Sequence, residues 1–257
     1  MRGVGVRFAS AAGDYPAVRD IGLTLGRGEF VAIVGPTGSG KSTILNVAAG
    51  LLEPVEGEVR VFGRPLAGVN PQAGYLFQAD ALMPWKSCLD NVAVGLEVRG
   101  MSRTEARRQA GLWLPRVGLA GFADNYPHAL SGGMRKRASL AQMLIRDPPI
   151  LLMDEPFAAL DVQTRYLMSN LLLDLWSADR KAALFITHDL EEAISLADRV
   201  LLLSAGPAAR LIGEYAVDLP RPRDVAEVRL SDPFVELHRR LWADLRSEVQ
   251  KSYAGVR

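Results

Sequence analysis

Gly35-Pro36-Thr37-Gly38-Ser39-Gly40-Lys41-Ser42 sets two glycines around four variable positions, directly ahead of a lysine and a hydroxyl. Glycines let backbone N–H groups converge on an anion, the lysine amine bridges successive phosphates, and the hydroxyl is a ligand for Mg2+. Thr43 extends the same candidate cradle. In a chain of this composition the pattern is a roughly 0.3% accident, so the chemistry expected is the binding of a nucleotide's phosphates. A second group lies at Ile150-Leu151-Leu152-Met153-Asp154-Glu155, an apolar run that delivers two adjacent acids. Neighbouring residues on a strand point to opposite sides, so the two can do different work. Asp154 would hold the metal's ligand shell, and Glu155 would orient or deprotonate an attacking water. An isolated Asp-Glu pair more often caps the next helix, but beside a phosphate loop the catalytic reading wins.

These groups need elements to hold them. Glu29–Val34 is a short apolar run that stops at the glycine-rich loop, and Ser42–Leu52 follows with helical spacing at Ile44, Leu45, Val47, Ala48 and Leu51. That is strand, loop, helix. Further buried-strand runs at Ile150–Met153, Ala182–Ile186 and Val200–Leu203 are separated by helical stretches, which predicts a parallel sheet covered on both faces. Gly3–Phe8 and Ile21–Leu25 predict an antiparallel edge sheet. From about Ala79 to His128 no buried-strand run occurs, and Arg103–Val117 is rich in helix formers, which predicts a helical insertion. Pro220-Arg221-Pro222-Arg223 must be extended. Beyond it Asp232 can cap a helix with Pro233 in its first turn, and Phe234, Leu237, Leu241, Leu245 and Val249 fall on one stripe that would pack back on the domain.

The 257 residues suit one large domain with an appendage, and 30 Lys+Arg against 29 Asp+Glu leave a net charge of +1, without the basic excess usual in nucleic-acid binders. A lone cysteine, Cys88, excludes an internal disulfide framework and a multi-cysteine metal site, which reads as a reducing compartment. No apolar run exceeds the scale of Ala182–Ile186, far short of the ~20 residues that span a bilayer, and the N-terminus shows no apolar signal segment. The expectation is a chain that neither crosses a membrane nor is exported.

Leu130-Ser131-Gly132-Gly133-Met134-Arg135-Lys136-Arg137, followed by the helical run Ala138–Ile145, adds a second anion nest at a helix N-terminus. A second nest in one chain has no use for that chain's own nucleotide. Here the sequence, from about residue 3 to 205, resembles the nucleotide-binding subunits of ABC transporters, whose signature reads LSGGQ. The resemblance implies an α/β P-loop NTPase with a mainly parallel core sheet, an antiparallel β edge subdomain and a helical subdomain at about 79–145. Residues 1–205 would form the ATP-binding domain and 206–257 a C-terminal extension with a terminal helix. It further implies ATP and Mg2+, with Ser131, Gly132 and Gly133 closing on the γ-phosphate held by a second copy in a head-to-tail homodimer. Gln78, after the strand-like Gly74–Phe77, matches the glutamine that senses metal and attacking water. Asp161 matches the aspartate that reaches across the dimer, and His188 the switch histidine that contacts the γ-phosphate. Met134 departs from the signature's glutamine but leaves the Ser-Gly-Gly nest intact. The aromatic that would stack on adenine is Phe8 or Tyr15, with Phe8 the better spaced. His128 and His238 match nothing in the family and read as structural or exposed.

The stretch Leu82-Met83-Pro84-Trp85 through Leu89-Asp90-Asn91-Val92 and the tail Leu219–Asp224 resemble the ATPases of nitrate, sulfonate, taurine and bicarbonate importers. Trp85 would either anchor a permease or pack locally. The resemblance implies two transmembrane permease subunits as partners and, indirectly, an extracytoplasmic solute-binding protein. The chain would be peripheral, on the cytoplasmic face of the inner membrane, and without nucleic acid. The rival reading is a soluble ABC ATPase that works on nucleic acid or ribosomes; such relatives carry paired domains, a long coiled coil or zinc cysteines. A plain phosphate-loop kinase would need neither the second nest nor His188. The transported solute contacts other subunits and is not written in this chain.

Overall fold

A computed structural model describes residues 1–10 and 13–254. Its centre is a six-stranded sheet. β3 (Phe30–Val34), β7 (Ala73–Leu76), β8 (Ile150–Asp154), β9 (Ala182–Ile186) and β10 (Arg199–Leu203) run parallel, and β11 (Leu211–Ala216) adds one antiparallel edge. The order is β11-β10-β3-β9-β8-β7. Every residue of β3 and β9 is buried, as strands covered on both faces must be. One face packs Phe30, Phe185, Met153 and Leu202 against α5 (Val162–Asp179) and α6 (Leu190–Leu196). The other packs Val31, Ile33, Leu184 and Leu201 against α1 (Lys41–Ala48) and a small antiparallel sheet.

That small sheet comprises β1 (Arg2–Ser10), β2 (Gly13–Ile21) and β4 (Glu56–Glu58) in the order β2-β1-β4, with the two-residue pair β5 (Arg60–Val61) and β6 (Arg64–Pro65) beside it. The expected strand at Ile21–Leu25 lies earlier in the chain, at Gly13–Ile21. Cross-strand pairs Val4↔Ile21, Val6↔Val18 and Phe8↔Tyr15 set the register. Leu23 still exchanges two hydrogen bonds with Met1, at 2.8 and 3.2 Å, and is buried, so the apolar pattern past Ile21 reports packing beneath the hairpin. The helix expected over Ser42–Leu52 stops at Ala48, where Gly50 adopts φ +67°.

Between β7 and β8 comes the helical segment: α2 (Cys88–Glu97), α3 (Arg103–Arg116) and α4 (Gly132–Leu144), with their own core of Val92, Ala106, Leu114 and Ala138. Ser87, Ser102 and Ser131 each cap a helix by accepting an amide hydrogen two or three residues into it.

The boundary expected at residue 205 falls between paired strands, because β11 completes the core sheet. Residues 220–223 belong to no regular element, and then α7 (Val225–Val228) and α8 (Asp232–Ala254) follow. Phe234, Leu237, Leu241 and Leu245 of α8 are buried in the same core as Ala193, Ile194 and Leu196 of α6, and Val249 packs against it. The apolar stripe therefore does pack back on the domain.

Candidate functional site

The sheet order converts scattered motifs into a row. β3 ends at the phosphate loop, β9 at His188, β8 at Asp154 and Glu155, and β7 two residues before Gln78. Parallel neighbours sit ~4.8 Å apart, so these four carboxyl-terminal strand ends line one edge, the usual ligand position of such sheets. Between that edge and the β1–β2 hairpin lies a cleft of about 550 Å3, lined by Phe8, Tyr15, residues 37–43, Gln78, Glu155 and His188.

Gly40 is the N-cap of α1 at φ +85°, and a Cβ there would stand 2.5 Å from Val18 Cγ1 of β2. Only glycine meets both demands. With no side chain capping α1, its first-turn amides and positive dipole end point into the cleft, ready for an anion. Lys41 is buried, and its Nζ donates to the carbonyl oxygens of Gly35 and Pro36 at 3.0 and 2.9 Å. Burial holds its pKa below the usual lysine value, against the pull of Glu155 and Asp154.

Ser42 Oγ donates to Asp154 Oδ1 at 3.0 Å, so two oxygens suited to a hard cation already touch. Tyr75 OH donates to Asn46 at 3.0 Å and lies 3.5 Å from Asp154 Oδ2. Burial raises the Asp154 carboxyl above its ordinary range, with the Ser42 hydrogen bond opposing. Glu155 follows the strand at φ +40°, an unusual conformation for a side-chain-bearing residue, fixed by its N–H bonding to Ile186 O at 2.9 Å. That turn brings Glu155 Oε2 to 3.0 Å from His188 Nδ1.

Phe8 and Tyr15 are directly opposed across the hairpin and both face the cleft, so both aromatic candidates stand on its rim. Gln78 also lines the cleft. Its main-chain carbonyl oxygen accepts from Lys136 Nζ at 2.6 Å, and Lys136, 4% exposed on α4, pairs with Asp80 at 3.2 Å. The sequence reading missed Lys136; a lone lysine among the small and apolar residues of a helix face was its signal. Tyr75 left a weaker trace in a strand that otherwise reads as core.

Ser131, Gly132 and Gly133 open α4, with Ser131 Oγ accepting from Met134 N–H at 3.3 Å. Asp161 caps α5 by accepting from Thr164 N–H at 2.9 Å. Thr164 abuts Gly133, so these two motifs share a corner, and neither is among the described residues that line the cleft. His128 stacks on Tyr126 and His238 on Phe234, outside the cleft lining. Trp85 is 73% exposed, which removes local packing as its explanation.

Seats for phosphates, a cation and a water at one row of strand ends are the build of a P-loop nucleoside triphosphatase. The model of the ABC transporter family matches residues 18–158, more than half of the chain. An ATP-binding protein of Brucella abortus is 48% identical over 90% of this chain and 88% of its own length. A taurine import ATP-binding protein of Burkholderia pseudomallei is 41% identical over 96% of both chains. A solved dimeric ATP-binding cassette in a post-hydrolysis state with ADP and Pi matches with a TM-score of 0.75 and 31% identity, covering 85% of this chain and 98% of that one. The chain belongs to the ABC transporter family, and it is an ATP-hydrolysing subunit of it.

Proposed function

We propose that this subunit energises an importer of small anionic or zwitterionic solutes of the taurine, sulfonate, nitrate or bicarbonate kind. The observation that carries the reading is the pairing of one complete phosphate cleft with a second nest that stands outside it. The chain's likeness to taurine import ATP-binding proteins supports the importer class over a nucleic-acid or ribosome ATPase.

Lys41 and the amides of residues 37–43 would hold the phosphates, and Phe8 or Tyr15 would stack on the adenine from the hairpin. Among the described residues no cluster of three or more His, Cys, Asp or Glu side chains could hold a metal. A magnesium ion suits what is present, since it commonly takes one or two protein oxygens and completes its shell with phosphates and water. Ser42 and Asp154 would be its ligands, with Gln78 facing the same space. When bound, the ion would supply charge neutralisation for the nucleotide's phosphates. Glu155 would accept the proton of the attacking water, and His188 would fix the Glu155 carboxylate and donate toward the γ-phosphate. Neither residue forms a bond to phosphorus; the work is positioning and charge.

Ser131, Gly132, Gly133 and Asp161 would serve the nucleotide of a second copy, making two composite sites in a homodimer. Two permease subunits would be its partners, with exposed Trp85 beside the Gln78 segment as one docking point, and a solute-binding protein would act on the far side. No helix among the described residues is long and apolar enough to cross a membrane. We place the chain on the cytoplasmic face, held by protein contacts. The test is Glu155→Gln: nucleotide binding persists, while turnover falls ~100- to 10,000-fold. Turnover at the wild-type rate removes Glu155 from this role, and failure to co-purify with any permease removes the importer.

A further inference from the structure

The switch histidine sits on a short support. α6 has seven residues, with Asp189 as its N-cap and His188 just before. A helix of two turns does not hold itself together in water. At its start, Thr187 Oγ1 donates to Glu192 Oε2, and Asp189 N–H donates to Thr187 Oγ1 at 3.0 Å. Asp189 Oδ1 accepts from the amides of Glu191 and Glu192 at 2.9 and 3.2 Å. The residues on either side of His188 are thus tied to the first turn of α6.

At its N-cap α6 is held by Arg165 of α5, whose Nη1 donates to Asp189 Oδ2 at 3.2 Å, and at both ends it is held by the C-terminal extension. Arg223 is 9% exposed, and its Nη1 donates to the carbonyl oxygens of Ile194, Ser195 and Ala197 at 3.3, 3.3 and 2.7 Å. Its Nη2 donates to those of Val217 and Leu219 at 3.3 and 3.0 Å. One guanidinium thereby satisfies the carbonyls that a helix end leaves orphaned, and adds positive charge at the negative end of the helix dipole. At the other end, Arg229 Nη1 pairs with Glu191 Oε2 at 2.9 Å, and its guanidinium lies 5.3 Å from the Tyr166 ring centre on α5.

We propose that the C-terminal extension is a clasp that sets the position of His188, with Arg223 and Arg229 as positioning residues for hydrolysis. The idea rests on the role given to His188 above. A purely architectural extension would stabilise the fold without setting the histidine.

The chain has three histidines, so ring signals of isotope-labelled histidine in the full-length protein report on His188 individually, assigned with His188→Gln. Arg229→Ala and Glu191→Ala are each expected to move or broaden the His188 signal and leave that of His128 in place. The double variant is expected to match the singles, as a coupled pair does. ATP turnover is expected to fall roughly two- to fivefold at unchanged KM, with partial recovery in Arg229→Lys. Arg223→Lys keeps the charge but loses the five-carbonyl fit and should move His188 likewise. An unmoved His188 signal in these variants overturns the clasp whatever the turnover, and so does an equal shift of His128 and His188. A wild-type chain without ATP turnover would overturn the ATPase reading, while the histidine signals still decide the clasp.

Discussion

Glu155 and His188 meet because one residue takes an uncommon backbone angle. Had β8 continued, Glu155 would have pointed across the sheet from Asp154; the turn at φ +40° brings it to the histidine instead. Lys41 is similarly preset, with its amine donating to the loop's own carbonyls. Lys41→Ala should weaken ATP binding about tenfold or more in a nucleotide titration, since a charge-assisted bond contributes ~1.5–3 kcal/mol; an unchanged affinity would refute the assignment. Glu192 invites a different test. Burial pushes its carboxyl up to about 7, the hydrogen bond from Thr187 opposes it, Asp189 adds to the rise, and Arg165 and Arg229 also oppose it. The unfolded chain ionises it near ~4.3, so its favourable contribution is full below that pH and is lost as the pH climbs through about 7. Glu192→Gln should therefore flatten the fall of thermal stability between about pH 4 and 7. Parallel melting curves for the two proteins would show that burial does not govern this carboxyl.

At the scale of elements, much was legible and the omissions have physical causes. The phosphate loop, the acid pair and the amphipathic terminal helix are encoded by neighbours in sequence, so local chemistry reveals them. The Ile21–Leu25 strand was misplaced because alternation marks burial, and Leu23 is buried beneath the hairpin without belonging to a ladder. Arg223 was missed for another reason: its partners are carbonyl oxygens, which carry no residue identity to read, and Lys136 shares that difficulty in its bonds to Phe77 and Gln78. The corner between α4 and α5 is tight in a way no pattern announces. A Cβ on Gly133 would stand 2.7 Å from Thr164 Cγ2. Gly133→Ala should cost about 1–3 kcal/mol in urea unfolding, and Thr164→Ser, which lacks that methyl, should recover most of it. Equal losses in both backgrounds would mean the strain lies elsewhere.

For the whole molecule, the separation of the cleft from the Ser131-Gly132-Gly133 nest sets the expected assembly. If the composite site is right, Glu155→Gln with ATP and magnesium should shift from monomer to dimer in light scattering, and a monomer at every ATP concentration would contradict it. The extension bears on a different matter, the order in which the molecule comes into being. The phosphate loop, Gln78, the signature nest, Glu155 and His188 all precede residue 205, whereas the guanidinium that closes the end of α6 belongs to residue 223. During synthesis every motif leaves the ribosome before the groups that seat the switch histidine. If the clasp sets the histidine, a nascent cassette completes its nucleotide cleft before its hydrolytic geometry, and turnover should rise a further roughly two- to fivefold once Arg223 and Arg229 have emerged and docked.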